Sequence, residues 1–376
     1  MPKIYRYSNS SISEEMTELK RYDWADFARG LLMVLVFIYH SEVYYGNEHS
    51  YSWIFVPFFL TGFFFVSGFF FTKDINCVSF KVKLKQVIRG IIFPYFVFEL
   101  LRAAPKVLMG RSDIVQLLID FFLFRGGWFV ISVGVMQLLY GLILDKKPSL
   151  KKVILGTVLF FVLGIGLCWI YDDSCPIRDY VIGNRLLFSY ELPNRLPFCF
   201  NLAMLYCPFF ALGIVGRIYE GKLLEICKIK HLIISLILYI ALYCIIDHFL
   251  IGSNWNGATG TYHNLPLMVL YAIIGIWLVI CISNVIKQIQ PINFIGRYSI
   301  LFLFMNGGSL LITSLLIQKN RLLNPAIYSS QLIVAILALM LACLAALLIN
   351  RFFPLLRGDK DAFNRLSKRL GFSVSW

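Results

Sequence analysis

Charged residues are scarce in this chain, and their scarcity excludes whole classes of protein. Only 15% of the 376 residues are Asp, Glu, Lys or Arg, against about 25% in an average soluble domain. The nine cysteines form no CxxC pair and no other spacing typical of metal ligands, and no glycine-rich phosphate loop or long repeat occurs. These absences exclude a disordered protein and an ordinary soluble enzyme, and we expect no metal.

Apolar residues are abundant, at 59% of the chain, and they are arranged in long runs. About 20 apolar residues form a helix long enough to cross the ~30 Å hydrocarbon core of a bilayer. Ten such segments predict an all-α polytopic bundle of about ten transmembrane helices. The segments span residues 24–45, 52–73, 87–108, 127–144, 153–171, 198–217, 231–251, 265–286, 296–317 and 329–352. Prolines and charges interrupt the third segment, and a separate interfacial helix over 112–124 is an open alternative.

The basic residues flank the apolar runs, which favours a membrane over nucleic acid as the partner of this +14 chain. Of 35 Lys and Arg, 25 fall on one side of the predicted bundle, 9 on the other, and Arg29 lies inside the first segment. Because cytoplasmic loops retain basic residues, we expect both termini in the cytoplasm. We therefore predict a cytoplasmic N-terminal segment (1–22), a transmembrane domain (23–353) and a basic cytoplasmic tail (354–376).

The first segment carries the densest set of ionisable residues, which includes Asp26, Arg29 and His40. A charge at bilayer depth costs about 2.5–3.5 kcal/mol on insertion scales, so such a residue is a functional candidate. Arg29 and His40 are eleven residues apart, which places them on one helix face about 16 Å apart along the axis. This alignment favours a polar track through the bundle, with Asp26 paired to Arg29. A snorkelling arginine and a packing histidine are the alternatives.

Four further residues are weaker candidates. Ser67 lies among small residues that permit close helix packing, and Trp128 suits either a cavity wall or an interfacial aromatic belt. Lys85 and Arg89 belong to a basic cluster that suits the phosphates of a nucleotide-like donor, although the retention of positive charge in the cytoplasm explains it equally well.

Two pairs of charged residues occur near predicted segment ends. Glu99 with Arg102, and Asp247 with His248, either line the same cavity as His40 or lie at the outer headgroup level. For the second pair we favour the headgroup level.

Five motifs in this order resemble the membrane-bound acyltransferase-3 family over residues 22 to 350. The first is D-x-x-R followed by R-x10-H, formed here by Asp26, Arg29 and His40. The others are VPFFLTGFFFVSGFFF, which contains Ser67, KLKQVIRGIIFPY, which contains Arg89, GGWFVI, and FFALG. One motif departs from the family. Where many members have G-x-x-S-x-x-x-Y-x-x-H, this chain reads GRYSILFLFMN and places Asn306 at the histidine position.

The resemblance implies a membrane O-acyltransferase of the bacterial inner membrane. It would move an acetyl or other short acyl group from cytoplasmic acyl-CoA, typically acetyl-CoA, to a hydroxyl of a cell-surface glycan or glycolipid. His40 would be the general base or a transient acyl carrier, and both roles stay open. Arg29 would bind or polarise the donor, with Asp26 holding it. Ser67, Trp128 and Asn306 would support the cavity, and Lys85 and Arg89 would bind the donor.

Two other functions stay open at this stage. One is a transporter or flippase of a glycan precursor that uses the same polar track. The other is a non-catalytic member that binds a partner enzyme in a polysaccharide-assembly complex. The lipid bilayer is expected as a partner in each case, nucleic acid in none, and a homo-oligomer is left open.

Overall fold

The computed structural model describes most of the chain and shows an almost entirely helical protein. The described residues are 22–46, 52–72, 77–108, 114–124, 127–145, 148–170, 186–187, 190–191, 196–248, 257–260, 264–325 and 327–370. Within them the strands are β1 (Leu186–Leu187) and β2 (Tyr190–Glu191), which pair antiparallel.

Fifteen α-helices occur in the described part of the chain. They are α1 (Asp23–Ser41), α2 (Val56–Phe69), α3 (Phe80–Val87), α4 (Phe93–Leu108), α5 (Ile114–Phe122), α6 (Trp128–Leu144), α7 (Leu150–Ile170), α8 (Phe200–Ile218), α9 (Glu220–Glu225), α10 (Ile229–His248), α11 (Leu265–Ile286), α12 (Gln290–Arg297), α13 (Ser299–Lys319), α14 (Tyr328–Phe352) and α15 (Lys360–Arg369). Short 3₁₀ turns cover Ser52–Ile54, Pro197–Cys199 and Pro354–Arg357.

All ten predicted segments are helical, although their lengths differ. Seven helices of the described chain are long and apolar enough to cross a membrane, namely α1 with its continuation to Gly46, α7, α8, α10, α11, α13 and α14. The apolar helices α2 and α6 are shorter, with 14 and 17 residues. The protein is therefore a polytopic membrane protein. The count of ten crossings and the cytoplasmic termini stay predictions.

The third predicted segment begins earlier than expected. Helix α3, the π-helical turn Ile88–Ile92 and α4 form one continuous helical stretch from Phe80 to Leu108. Pro94 has no amide hydrogen to donate into a regular α-helical ladder, and the wider turn that precedes it accommodates this loss. The separate helix expected within 112–124 is present as α5.

Helix α1 lies in the interior of the bundle. It contacts α2, α11, α12, α13 and α14, and Leu32 and Met33 are both fully buried. By contrast, α7 and α14 expose rows of large aliphatic side chains, including Leu155 at 70% exposure and Leu344 at 61%. Exposed apolar faces of this size are expected where a protein meets lipid.

Glycines let two helix pairs approach closely. A Cβ on Gly296 of α12 would lie 1.7 Å from the backbone oxygen of Asp26, and one on Gly30 of α1 would lie 2.0 Å from that of Ile292. Helices α2 and α8 meet in the same way, because Gly68 and Gly213 lie against each other's helix backbone. A side chain at any of these glycines would force the helices apart.

Helix α1 continues into a π-helical turn, Glu42–Gly46. Glu42 is fully buried there, and the Ser52 hydroxyl donates a hydrogen bond of 2.8 Å to its carboxylate. The Tyr45 hydroxyl donates a hydrogen bond of 2.7 Å to the backbone oxygen of Leu323. The turn is thus fixed from both sides, and π-helical turns are frequent at functional sites.

The described part of the predicted tail is folded against the bundle. Asp359 caps α15 by accepting a hydrogen bond of 2.9 Å from the Ala362 amide. The ring of Phe363 lies 5.0 Å from that of Phe93 in α4, and Gly358 packs against the backbone of Gly90. Residues 354–370 therefore form an ordered amphipathic element, whereas the sequence predicted only a basic tail.

Candidate functional site

A cavity of about 580 Å³ opens between the end of α1 and the start of α2. This volume is within the range of about 300–1,000 Å³ typical of small-molecule sites. Helices α4, α6, α8, α11 and α13 complete the wall, together with Gly257 and Ala258. Five of the residues singled out from the sequence meet here, namely His40, Glu99, Arg102, Trp128 and Asn306.

His40 is half-buried in the last turn of α1. Its ring lies 5.1 Å from that of Tyr39, which in turn lies 5.5 Å from the ring of Phe59 in α2. Thr61 of α2 shares the cavity wall, but its hydroxyl donates to the backbone oxygen of Pro57 in its own helix. His40 is therefore held by aromatic contacts at the edge of a space large enough for a substrate.

Asn306 lies in the wall contributed by α13 and is only 4% exposed. Its Nδ2 is fully buried and donates to no acceptor among the described residues. A buried donor without an acceptor costs about 1–3 kcal/mol, so such a group in a native protein calls for an explanation. Gly307 and Gly308 follow it in the same wall, and nothing lies within 4 Å of a Cβ on Gly308.

Trp128 begins α6 and forms the aromatic part of the wall. Its ring centroid lies 5.9 Å from that of Phe129 and 6.3 Å from that of Tyr206. The Tyr206 hydroxyl donates a hydrogen bond of 3.0 Å to the backbone oxygen of Gly257, which fixes the ring beside the cavity.

Glu99 and Arg102 of α4 form an ion pair of 2.5 Å in the cavity wall. The Glu99 side chain is 14% exposed and that of Arg102 is 55% exposed, so the carboxylate faces inward and the guanidinium lies at the mouth. Of the two interpretations drawn from the sequence, the one in which this pair lines the same cavity as His40 therefore applies. The side chains of Asp247 and His248 lie outside the described part of the chain.

A second set of charges surrounds the opposite end of α2. The Arg217 guanidinium lies 5.2 Å from the ring of Phe69, and the Arg29 guanidinium lies 4.3 Å from the ring of Phe70. The Lys83 ammonium lies 4.4 Å from the ring of Phe71. Cations are favoured both over aromatic faces and at a helix C-terminus. Burial also lowers the pKa of Lys83 to about 8.

Asp26 is placed between two arginines, of which the sequence predicted only one. Its carboxylate lies 3.9 Å from Arg297 of α12, and its charge also acts on Arg29. Arg217 has an acidic partner as well, Glu220, at 2.8 Å. The region that contains Arg29, Arg217, Arg297 and Lys83 is called the cationic end below.

The predicted polar track is interrupted. On the helix face shared by Arg29 and His40, Val36 lines the cavity, but Met33 is fully buried between them. Arg29 itself lies outside the wall of this cavity. The two groups are therefore at opposite ends of one helix face, and packed side chains separate them.

Three other sequence candidates also lie outside the cavity wall. Ser67 is six residues further along α2 than Thr61, towards the cationic end. Lys85 lies on α3, and Arg89 lies on the π-helical turn that follows. The Nε of Arg89 is buried and donates to no acceptor among the described residues. The described residues also contain no cluster of three His, Cys, Asp or Glu with the arrangement of metal ligands.

One comparison with known proteins is positive. A family model described as an acyltransferase domain, acyltransferase-3, matches residues 22–356, which include α1 to α14 and both ends of the α1–α2 pair. No curated protein and no solved structure matches the chain. The match extends over far more than half of the 376 residues, and the chain therefore belongs to the acyltransferase-3 family of membrane acyltransferases.

Proposed function

We propose that this protein is an O-acyltransferase that moves an acetyl or other short acyl group from acyl-CoA to a hydroxyl of a glycan or glycolipid. The observation that carries the proposal is the meeting of His40 and the buried Asn306 amide in one cavity of ligand size. An imidazole titrates near neutral pH and so suits the removal of a hydroxyl proton.

The reaction needs one proton acceptor and one hydrogen-bond donor. The glycan hydroxyl gives its proton to His40, which is the proton acceptor, while the hydroxyl oxygen attacks the thioester carbonyl carbon. The carbon–sulfur bond then breaks, the proton passes to the departing thiolate, and the products are an ester and free CoA. In the alternative, the His40 imidazole itself attacks the thioester and releases CoA to form an acyl-imidazole, and the glycan hydroxyl then attacks this intermediate, takes the acyl group and gives back a neutral imidazole.

Asn306 supplies the hydrogen-bond donor in this proposal. The carbonyl oxygen becomes negative as the tetrahedral intermediate forms, and a donor that is already in place stabilises it. The Nδ2 of Asn306 suits this role because it is buried and donates to no described acceptor. Asparagine at the position where many members have histidine would thus keep a donor.

The cationic end suits the phosphates of CoA. The four cations of this end, Arg29, Arg217, Arg297 and Lys83, outnumber their acidic partners Asp26 and Glu220, and a guanidinium binds phosphate oxygens in a bidentate manner. We also propose that Lys85 and Arg89 contact the acyl-CoA, since the Nε of Arg89 donates to no acceptor among the described residues.

The acyl group must then travel about 16 Å along α1 to reach His40. Met33 lies on that face and is fully buried. A methionine is flexible and adapts to different neighbours, so we expect it to move aside for the pantetheine arm.

The placement in the cell follows from charge. With the basic termini and the cationic end in the cytoplasm of a bacterium, acyl-CoA enters from inside and the cavity of His40 opens toward the outer face. The remaining parts of the proposal are ten crossings of the inner membrane, acetyl-CoA as the donor, and assembly as a homo-oligomer or with polysaccharide-assembly partners.

Purified protein in detergent, mixed with radiolabelled acetyl-CoA and a panel of glycans, tests the proposal. We expect label on a glycan and release of CoA, both abolished by His40→Ala and Arg29→Ala. Wild-type protein that neither binds nor consumes acetyl-CoA would eliminate the enzyme. Movement of a lipid-linked glycan across proteoliposomes without acyl-CoA would instead establish the transporter.

A further inference from the structure

We infer that the cavity beside His40 binds an uncharged pyranose ring, and that the Glu99–Arg102 pair disfavours acidic sugars. The inference rests on the proposed function, because it names the class of acceptor. Three features of the described wall carry it, namely its aromatic surface, its compensated charge and its hydrogen-bonding groups.

The aromatic surface suits the face of a sugar. Trp128 is a partly exposed ring of the wall, and Tyr206, which is only 2% exposed and stacks on Phe64 with ring centroids 5.0 Å apart, supports it. Tyr39 contributes a third ring from α1. A pyranose has one or two faces of C–H groups that pack on an aromatic ring, while its hydroxyls point sideways to polar groups. A lipid-like ligand does not need the polar groups, and a nucleotide would bring phosphates to a wall whose described arginine is already paired with Glu99.

The charge of the wall is balanced. Apart from His40, the ionisable acidic and basic groups of the described wall are Glu99 and Arg102, and they pair at 2.5 Å. A carboxylate or phosphate on the acceptor would meet a guanidinium that is already neutralised and a carboxylate that is buried further in. Juxtaposition of like charges in a partly buried site is unfavourable. A neutral ring meets no such penalty, and Glu99 accepts hydrogen bonds from its hydroxyls.

The polar groups of the wall lie on several sides of the cavity. Asn306 and Glu99 come from α13 and α4, and His40 comes from α1. Because sugar hydroxyls radiate around the ring, polar groups on separate helices hold a ring better than one polar patch. The aromatic and polar groups together have the composition of a small-molecule site, with mostly apolar walls and a few oriented polar groups.

Saturation-transfer NMR on the full chain in detergent tests the inference without any acyl donor. The probes are the neutral trisaccharides maltotriose, cellotriose and N,N′,N″-triacetylchitotriose, and the acidic trisaccharide trigalacturonate. We expect at least one neutral probe to receive saturation and trigalacturonate to receive at least threefold less. The Trp128→Ala variant should lose the signal. Trp169→Ala is the matched control, because Trp169 of α7 is 51% exposed and lies outside the wall.

A charge change at Glu99 tests the selectivity directly. Glu99→Gln leaves Arg102 without its carboxylate, so trigalacturonate binding should rise about tenfold at low ionic strength and fall again as salt screens the charge. The double variant Glu99→Gln/Arg102→Gln should return to the wild-type preference.

Two results would overturn the inference. One is trigalacturonate binding by the wild type as strong as that of any neutral probe. The other is the absence of binding by every neutral probe above the Trp128→Ala background. Because no acyl-CoA is present, either result is independent of whether the protein transfers acyl groups, and the radiolabel assay can succeed or fail separately.

Discussion

The two ends of the α1–α2 pair use the same two helices in opposite ways. At the cationic end, Arg29 and its neighbours lie on aromatic rings and acidic partners, and glycines bring the backbones together. At the other end, His40 and Asn306 face a cavity of about 580 Å³. The two ends therefore bury polar groups differently: the cations of one end have aromatic and acidic partners, whereas the Asn306 amide at the other end donates to no described acceptor.

The glycines at the two ends differ in the space around them. A Cβ on Gly296 or Gly68 at the cationic end would lie less than 2 Å from a backbone oxygen, whereas nothing lies within 4 Å of a Cβ on Gly308 in the cavity wall. Gly296 and Gly68 should therefore tolerate no added side chain, whereas Gly308 should tolerate a small one.

The largest effect, a loss of folding, is expected at the cationic end. Gly296→Val should separate α1 from α12 and abolish the folded monomer peak in gel filtration, because the clash is with backbone and cannot be relieved by a rotamer change. Gly308→Ala should keep that peak. If Gly296→Val eluted like the wild type, the close contact of α1 and α12 would not be required for folding.

The second effect should be confined to activity. His40→Gln should lower acyl transfer by about 10²–10⁴-fold, the usual contribution of a general base. The variant should still elute as a folded protein, since glutamine replaces a hydrogen bond but cannot accept and release the proton. Loss of the folded peak would mean that His40 is a structural residue.

The third effect concerns donor binding. Arg29→Lys keeps the charge over Phe70 but loses the bidentate geometry, so the KM for acyl-CoA should rise about tenfold. Phe70→Leu is the control, because it removes the ring and keeps the guanidinium. A KM for acyl-CoA within twofold of the wild-type value for Arg29→Lys would show that Arg29 is only a charge anchor.

A fourth change tests the connection between the two ends. Met33→Phe should slow acyl transfer several-fold and weaken acyl-CoA binding while the affinity for the glycan stays unchanged, since the larger, stiffer side chain lies where the pantetheine arm is proposed to pass. Met33→Leu should behave like the wild type. A change in glycan affinity would place Met33 in the glycan site instead.

The smallest effect is a pH dependence of stability from Lys83. Its folded pKa of about 8 is below the unfolded value of 10.5, so the unfolded chain binds more protons between these pH values. The free energy of unfolding should therefore rise with pH across that window. Thermal melts from pH 8 to 10.5 check this, and Lys83→Met should have a smaller slope. Identical slopes would mean that Lys83 titrates normally.

The helices were readable from the sequence because each apolar run is long and bounded by charges, and all ten segments are helical. Helix α12 was not predicted because it has only eight residues, three of them polar, and begins with Gln290–Pro291. Its absence from the prediction explains why Arg297 was missed as the partner of Asp26, since the two are far apart in sequence.

The meeting of Asn306, Trp128 and His40 in one wall depends on packing between helices that are distant along the chain. Family motifs pointed to these residues, but no periodicity in the sequence indicates their proximity. The separation of Arg29 from the cavity was not foreseen either, because a helical wheel aligns residues on one face and does not show which neighbours fill the space between them.

The π-helical turn at Glu42–Gly46 has a consequence for how related chains are compared. A π turn contains one residue more than an α turn, so removal of a single residue here would restore the regular ladder, keep the segments on either side in nearly the same orientation, and shift the side chains within the turn by one position. Tyr44, which now faces the cavity, and Tyr45, which now bonds to Leu323, would exchange environments with their neighbours. A one-residue gap between His40 and Ser52 in an alignment would thus separate relatives whose cavities are lined by different side chains, and whose choice of acceptor should differ accordingly.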